Sequence, residues 1–178
     1  MPLEKLQVQL NESKNQMKKY VDTLKFGKQS FYEDFLTRTD ISVPGIYKIE
    51  IRASSFTQQK DSWKIDFVKH WDMYKGKGCR TPSSKKIRFQ RHNDILAGEW
   101  VPLYIGRSLD VRSRLDLHKN TPFKEAYQAL KLIDRGIYES ENFRVSFFEL
   151  PKMNYEFISL YVEDAFREQI NPIVGIKG

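Results

Sequence analysis

The sequence predicts a mixed protein of the α/β (α+β) class, in which three short strands lie among helices. Residues 45–51 and 142–150 alternate apolar and polar side chains with the period of two that a half-buried strand requires. A third strand is predicted from the apolar run that begins at Val101. The remaining apolar residues mostly recur at the helical spacings of three and four. The 178 residues fit one domain, and 40% hydrophobic residues with 13% aromatics can form a packed core.

The first 43 residues are predicted to form a helical arm ahead of the first strand. Spacings of three and four predict a helix that ends at Gly27, and its apolar positions are Leu3, Leu6, Leu10, Met17, Tyr20, Val21 and Leu24. Ser30 and Glu33 have the spacing of a capping box, which predicts a short second helix through Phe35 before Pro44. No catalytic group stands out in this arm, so packing or partner contact is its expected role.

A long basic insertion, residues 53–99, separates the first two strands. Between Lys60 and His92 there are ten Lys and Arg residues and three Asp residues, and this excess equals the whole net charge of +7. Such a concentration of cations is typical of contact with the phosphate backbone of a nucleic acid. The alternative is a solvated basic loop.

Residues 61–74 of the insertion are predicted to form a helix with an aromatic stripe facing the core, although residues 63–68 also fit a strand. The stripe consists of Trp63, Phe67, Trp71 and Tyr74. A loop rich in Gly, Pro, Ser and Lys follows, and then a possible short strand over residues 86–89.

Three helices are predicted after the second strand. Gly106 is expected to form the turn into the first of them, which Ser108 caps. The second spans residues 121–136, with threonine at the N-cap, proline at the first helical position and glycine at the end. The third has Asn154 as its N-cap and ends before Pro172.

The composition excludes several classes of protein and site. The single cysteine excludes an internal disulfide, and His70, Cys79 and His92 fall short of the usual four zinc ligands. The N-terminal residues lack the continuous apolar stretch of a signal peptide, and no window is long enough to cross a bilayer. We therefore expect a soluble, cytoplasmic protein with no membrane partner.

Two strand motifs resemble the signature of the GIY-YIG nucleases. The first strand begins with GIY at Gly45–Tyr47, and the second contains YIG at Tyr104–Gly106. Arg114 and His118 follow Tyr104 by ten and fourteen positions, as the corresponding arginine and histidine do in that family. The family often has an aliphatic residue seven positions after the tyrosine, and Val111 stands there.

A glutamate in the last helix completes the resemblance. The family's metal ligand is a glutamate three residues before a large apolar residue and about nine before a proline, and Glu163 is so placed relative to Phe166 and Pro172. The residues supply a second reason, because a carboxylate among apolar neighbours is costly without a partner or a metal. The resemblance extends over residues 45–175 and implies a nuclease core over residues 44–178.

The resemblance implies a small three-stranded antiparallel sheet flanked by helices, and a metal-dependent DNA endonuclease. Glu163 would hold one divalent ion, Mg²⁺ or Mn²⁺, and Arg114 would clamp a phosphate oxygen. Tyr47 would help to deprotonate the attacking water, Tyr104 would position the water or the phosphate, and His118 would offer a proton path. Taken singly, these residues also fit core tyrosines, a solvated helix pair and a buried salt bridge.

Two features depart from the pattern of the family. The long insertion stands where a short hairpin normally links GIY and YIG. Gly175 stands where a polar residue, usually asparagine, follows the terminal proline by three positions. Whether Asn171 replaces that residue is open.

Within the family, the chain resembles most the stand-alone type II restriction endonucleases. We then expect double-stranded DNA as the partner and a possible homodimer on a palindromic site. The residues expected to contact DNA are Lys77, Arg80, Lys85, Lys86, Arg88, Arg91, Asn93 and Arg107. The alternatives are a phage or mobile-element nuclease of the homing or repair type, and a non-catalytic DNA-binding module on the same fold.

Overall fold

The computed structural model of the chain describes residues 2–55, 62–74, 80–92 and 99–175. At its centre is a four-stranded antiparallel sheet with the strand order β1-β4-β2-β3. The strands are β1 (Ser30–Phe31), β2 (Gly45–Arg52), β3 (Trp100–Ser108) and β4 (Phe143–Glu149). The three predicted strands are present, and the sheet has one strand more than predicted because β1 pairs with β4.

Helices cover both faces of this sheet. The helices of the described residues are α1 (Leu3–Val21), α2 (Tyr32–Thr37), α3 (Trp63–Asp72), α4 (Lys86–Phe89), α5 (Val111–Asn120) and α6 (Tyr155–Ile170). One core joins α2, α3 and α5 to Tyr47, Ile49 and Ile51 of β2, and the other joins α1 and α6 to Ile46. This division follows the alternation of side chains along a strand. None of these helices has the length and apolar character needed to span a bilayer.

The aromatic stripe of α3 lies in the core, as predicted. Trp63, Phe67 and Trp71 are buried, and the ring of Phe67 stacks on Trp71 with centroids 5.3 Å apart. Tyr74, beyond the helix, stacks on Phe123. Packing therefore occupies the faces that base stacking would need.

The prediction of a helix over residues 121–136 is wrong, because this stretch is an irregular loop. Two cationic side chains donate hydrogen bonds to carbonyl oxygens of this loop. In an α-helix, the backbone amides four residues further along the chain would make these bonds. The buried Lys131 donates through Nζ to two loop carbonyls at 2.7 and 2.8 Å, and Arg135 Nε donates to Leu130 O at 2.8 Å. Lys131 also has a φ of 58°, which interrupts a right-handed helix. Thr121, the predicted N-cap, is instead the C-cap of α5.

The N-terminal helices begin and end differently from the prediction. Helix α1 ends at Val21 rather than at Gly27, whose amide donates to Phe147 O at 2.9 Å. Ser30 lies in β1, and no side chain caps α2, so the predicted capping box is wrong. Ser30 pairs with β4 in the sheet, and this pairing competes with capping of the helix.

The caps of α5 and α6 also differ from the prediction. Asp110, rather than Ser108, is the N-cap of α5, and its carboxylate accepts from Ser113 N at 3.0 Å. Asn154 is the N-cap of α6 by position, but its side chain makes no capping bond. Helix α6 ends before Pro172, as predicted.

The basic insertion is bound to residues 171–175, here called the C-terminal segment. Ser84 forms an antiparallel bridge with Val174, and the amide of Lys85 donates to Ile173 O at 2.8 Å. The amide of Val174 in turn donates to Leu103 O of β3 at 2.9 Å. The C-terminal segment therefore joins the insertion to the edge of the sheet.

Residues 86–89, predicted as a possible strand, form the short helix α4. The adjacent residues Arg88 and Phe89 are both buried. Phe89 packs on Trp63, and Arg88 Nη1 donates to Pro172 O at 2.7 Å. A helical turn lets neighbouring side chains reach these two partners, whereas a strand would place them on opposite faces.

Candidate active site

Tyr47 and His118 form a buried hydrogen-bonded pair. The hydroxyl of Tyr47 lies 2.7 Å from Nε2 of His118, and both side chains are fully buried. Tyr47 comes from the central strand β2, and His118 from α5, so the fold joins residues 71 positions apart. The other ring nitrogen, Nδ1, accepts a hydrogen bond from the amide of Leu130 at 3.0 Å.

The bond from Leu130 determines which nitrogen of His118 carries the proton. Nδ1 must be unprotonated to accept an amide N–H, so the neutral ring is protonated at Nε2. Burial holds the pKa of His118 well below its usual value, and the charge of Arg114 lowers it further. His118 therefore donates its Nε2–H to the oxygen of Tyr47. The alternative of a solvated helix residue is wrong for His118.

Gly106 makes room for the aromatic groups of this site. It lies opposite Tyr47 in the β2–β3 ladder, within β3 rather than in the predicted turn. A Cβ at Gly106 would lie 2.3 Å from Tyr47 Oη and 2.7 Å from Tyr104 Cε1. The ring of Tyr104 has its centroid 6.2 Å from that of Tyr47 and 5.2 Å from that of His118. The glycine thus allows the two phenols and the imidazole to pack together.

The guanidinium of Arg114 places a positive charge beside the two phenols. Burial raises the pKa of Tyr47 well above its usual value and also raises that of Tyr104, and Arg114 lowers both. Arg114 is held from the other side, because its Nη2 donates to Gln128 O at 2.9 Å. Its guanidinium also lies 5.2 Å from the ring of Tyr127. The irregular loop therefore positions Arg114 as well as His118.

Glu163 of α6 is buried between two arginines. Its Oε1 lies 2.6 Å from Arg167 Nη2, and its Oε2 lies 3.3 Å from Arg107 Nε. Burial raises the pKa of Glu163, while the charges of Arg167 and Arg107 oppose that shift. The negative charge of Glu163 also raises the pKa of Tyr47 and of Tyr104. The buried salt bridge that the sequence offered as the alternative for Glu163 is thus present.

Glu163 offers a single carboxylate, and both of its oxygens face arginines, so a hard divalent ion bound here would take its other ligands from water and substrate. Among the described residues, no group of three or more His, Cys, Asp and Glu side chains could enclose a metal. Mg²⁺ keeps several waters and commonly binds through one or two carboxylates together with substrate phosphates. Oε2 of Glu163 has the longer of the two arginine contacts, so it is the oxygen more readily offered to a cation.

Arg107 lies in this site, and its side chain is 28% exposed. Its Nη1 donates to Ser159 Oγ at 2.8 Å and lies 3.6 Å from Glu156 Oε2. Together with its contact to Glu163, these bonds attach the end of β3 to α6. Arg107 therefore makes its hydrogen bond and its ion pairs with α6.

The other residues predicted to contact DNA fall into three groups. Arg80 is exposed, and Lys85 is partly exposed beside the C-terminal segment. Arg88 and Arg91 lie together at the end of α6. Lys77, Asn93 and the side chain of Lys86 lie outside the described residues.

Asn171 makes its side-chain hydrogen bonds at the end of α6 and to the insertion. It has a left-handed backbone at the C-cap of α6, and its Nδ2 donates to Glu168 O at 2.9 Å. Its Oδ1 accepts from Arg91. Gly175, at the family's asparagine position, has a φ of 135° that disfavours any side chain.

Sequence reasoning missed two contributors to the site. Arg167 follows Glu163 by one helical turn, and the rule for i,i+4 pairs could have identified it. Leu130 contributes only its amide, which no sequence signal marks.

Comparisons with protein-family models, curated proteins and solved structures find no match to this chain.

Proposed function

We propose that the chain is a metal-dependent DNA endonuclease of the GIY-YIG type that hydrolyses phosphodiester bonds in double-stranded DNA. The observation that carries this proposal is the Tyr47–His118 pair, in which a donated N–H and the charge of Arg114 both favour the phenolate. Tyr32, which is also fully buried, instead donates its hydroxyl to the carbonyl of Leu115 at 2.9 Å. The negative charge of Glu163 on α6 raises the pKa of the same phenols, so a cation bound to Glu163 would also favour the phenolate.

The chemistry starts from the difficulty of ionising a buried phenol. Burial opposes loss of the Tyr47 proton, whereas the Nε2–H of His118 and the positive charge of Arg114 stabilise the resulting anion. His118 acts here as a hydrogen-bond donor, because its Nδ1 is occupied by the amide of Leu130. A proton relay through His118 would first require that bond to break.

In the proposed reaction, the oxygen of a water bonds to phosphorus and its proton passes to the Tyr47 phenolate. The bond to the 3′ oxygen breaks, and solvent protonates the departing oxygen. Arg114 pairs with a non-bridging phosphate oxygen, and Tyr104 holds the water or the phosphate in line. Glu163 would bind one Mg²⁺ or Mn²⁺, which supplies charge neutralisation at the phosphate and at the leaving oxygen.

In its finer form, the proposal is a type II restriction endonuclease that acts in the cytoplasm and binds a palindromic site as a homodimer. The insertion supports this form, because it adds arginines next to α6. A phage or mobile-element nuclease is the nearest alternative. A non-catalytic DNA-binding module is the alternative from another class.

The experiment is to incubate the purified protein and MgCl₂ with plasmid DNA and to sequence the resulting ends. Discrete fragments with one repeated end sequence are expected for a restriction enzyme. A smear would retain the nuclease and reject the restriction form. Bound but intact plasmid, at Mg²⁺ and Mn²⁺ concentrations up to the millimolar range, would overturn the proposal in favour of the binding module.

A further inference from the structure

A pocket of about 480 Å³ lies between the insertion and the end of α6. Its walls include three arginines from two separate parts of the chain, and the residues lining it are Ile87, Arg88, Arg91, Arg167, Glu168 and Asn171. Among the described residues that line the pocket, Glu168 is the one acid, and it is paired with Lys18 of α1 at 2.7 Å. We call this the arginine pocket.

The three arginines are held together by bonds to neighbouring groups. Arg88 donates to the carbonyl of Pro172, and Arg91 donates to the side chain of Asn171. Arg167 binds Glu163 and also donates to Ile105 O at 3.3 Å. These bonds hold three guanidinium groups around one pocket, where their N–H donors can share an anion.

The pKa of Arg88 reflects the positive charges near it. Burial lowers the pKa of Arg88, and repulsion from Arg167 and Arg91 lowers it further. An anion in the pocket would relieve the repulsion. Guanidinium groups bind phosphate oxygens with paired, directional hydrogen bonds, so phosphate is the anion that this set fits best.

We infer that the arginine pocket binds a backbone phosphate of the DNA strand that is being cut, next to the scissile phosphate. This inference rests on the proposed nuclease function. Arg167 lines the pocket and also contacts Glu163, so the pocket and the candidate metal ligand share a side chain. A strand that passes Arg114 and Glu163 therefore places a neighbouring phosphate within reach of the insertion, which positions the strand without reading its bases.

The first test measures binding of a mixed-sequence duplex in EDTA over a range of NaCl concentrations. Arg91→Gln should flatten the slope of log K against log [salt] by about 0.9, the value for one lost phosphate contact in B-DNA. Arg91 is chosen because Arg88 is buried and bonded to the backbone. Arg91→Lys keeps the charge and should keep the slope.

The matched control is Lys28→Gln, which removes one exposed charge next to Gly27, on the β4 side of the sheet rather than at the C-terminal segment. Its slope should equal that of the wild type. An unchanged slope in Arg91→Gln, or an equal loss in Lys28→Gln, would overturn the arginine pocket. This assay needs no cleavage, so its outcome is independent of the plasmid assay.

The second test uses the cleaved sequence with single neutral methylphosphonates placed along the cut strand. One substitution next to the cut should weaken wild-type binding but leave the affinity of Arg91→Gln unchanged. Equal losses at that position in both proteins would contradict the inference. If the wild type cleaves nothing, the proposed function fails, and the salt dependence still decides whether the pocket holds a phosphate.

Discussion

Gly106 lies opposite Tyr47 in adjacent strands, and the space where its side chain would stand is filled by the Tyr47 hydroxyl. The requirement for glycine at this position is therefore steric, since the backbone lies within an ordinary strand.

Gly106→Ala is expected to displace the phenol and to abolish cleavage. Overpacking of this kind costs about 1–3 kcal/mol in the free energy of unfolding. Gly136→Ala is the matched control: it strains a φ of 67° by about 1–2 kcal/mol, but its Cβ would have no neighbour within 4 Å. Urea unfolding and single-turnover cleavage should show comparable destabilisation with activity lost only at Gly106. Equal activity in both variants would contradict the steric role.

Tyr47→Phe keeps the ring and removes the oxygen that His118 contacts. The rate of the cleavage step should fall by about 10²–10⁴ because the proposed base is lost, with little change in DNA affinity. Stability should also fall by about 1–3 kcal/mol, because the Nε2–H of His118 is left without its acceptor. Tyr20→Phe, at an exposed position in α1, should change neither quantity. If only the affinity for DNA fell, Tyr47 would not be the group that activates the water.

Stability is expected to fall as the pH is lowered below about 6.5, the usual pKa of histidine. The pKa of His118 is lowered in the folded state, so in this range the unfolded chain binds a proton that the native chain does not. The contribution is at most about 1.4 kcal/mol per pH unit. The free energy of unfolding of the wild type and of His118→Gln should be compared at several pH values. The variant should have the shallower dependence, and parallel curves would show that His118 is protonated in the folded protein.

Arg114→Ala should reduce cleavage by about 10²–10³, the effect of removing one donor that binds developing negative charge. Arg112→Ala is a close control, because Arg112 is exposed on the same helix two residues earlier. Single-turnover rates at saturating DNA should separate the two variants. Similar losses in both would indicate a general electrostatic contribution from α5 instead of a specific clamp.

Glu163→Gln should abolish Mg²⁺-dependent cleavage while DNA binding in EDTA persists. The substitution leaves Arg167 and Arg107 without their buried carboxylate, so the free energy of unfolding should fall by about 3–5 kcal/mol. Glu156→Gln is the control, because this exposed acid also contacts Arg107 from the same helix. Cleavage by a folded Glu163→Gln variant at the wild-type rate would exclude Glu163 as the metal ligand.

The sequence was informative where periodicity and packing agree. The alternation around Tyr47 predicted β2, and the spacing of Trp63, Phe67 and Trp71 predicted α3 and its burial. Both signals arise from apolar side chains that face one core. The helix predicted after the second strand is present as α5, and it carries Arg114 and His118.

Periodicity failed where polar side chains replace backbone hydrogen bonds. Residues 121–136 carry a helical pattern, yet Tyr127 and Ile133 are about half exposed while Lys131 is buried. Arg135 adds a tertiary bond, since its Nη1 donates to Trp71 O at 2.5 Å. These long-range contacts determine the loop, and through the amide of Leu130 they determine the proton position on His118. No local pattern encodes them.

The attachment of the insertion to the C-terminal segment restricts how this protein can be re-engineered. Arg91 and Asn171 are 80 positions apart in the chain, yet they contact each other beside the Ser84–Val174 bridge. A chimaera that receives residues 80–92 alone would lack the surface on which they rest. The two stretches therefore form one structural unit, and a graft of the insertion into another protein would have to carry both.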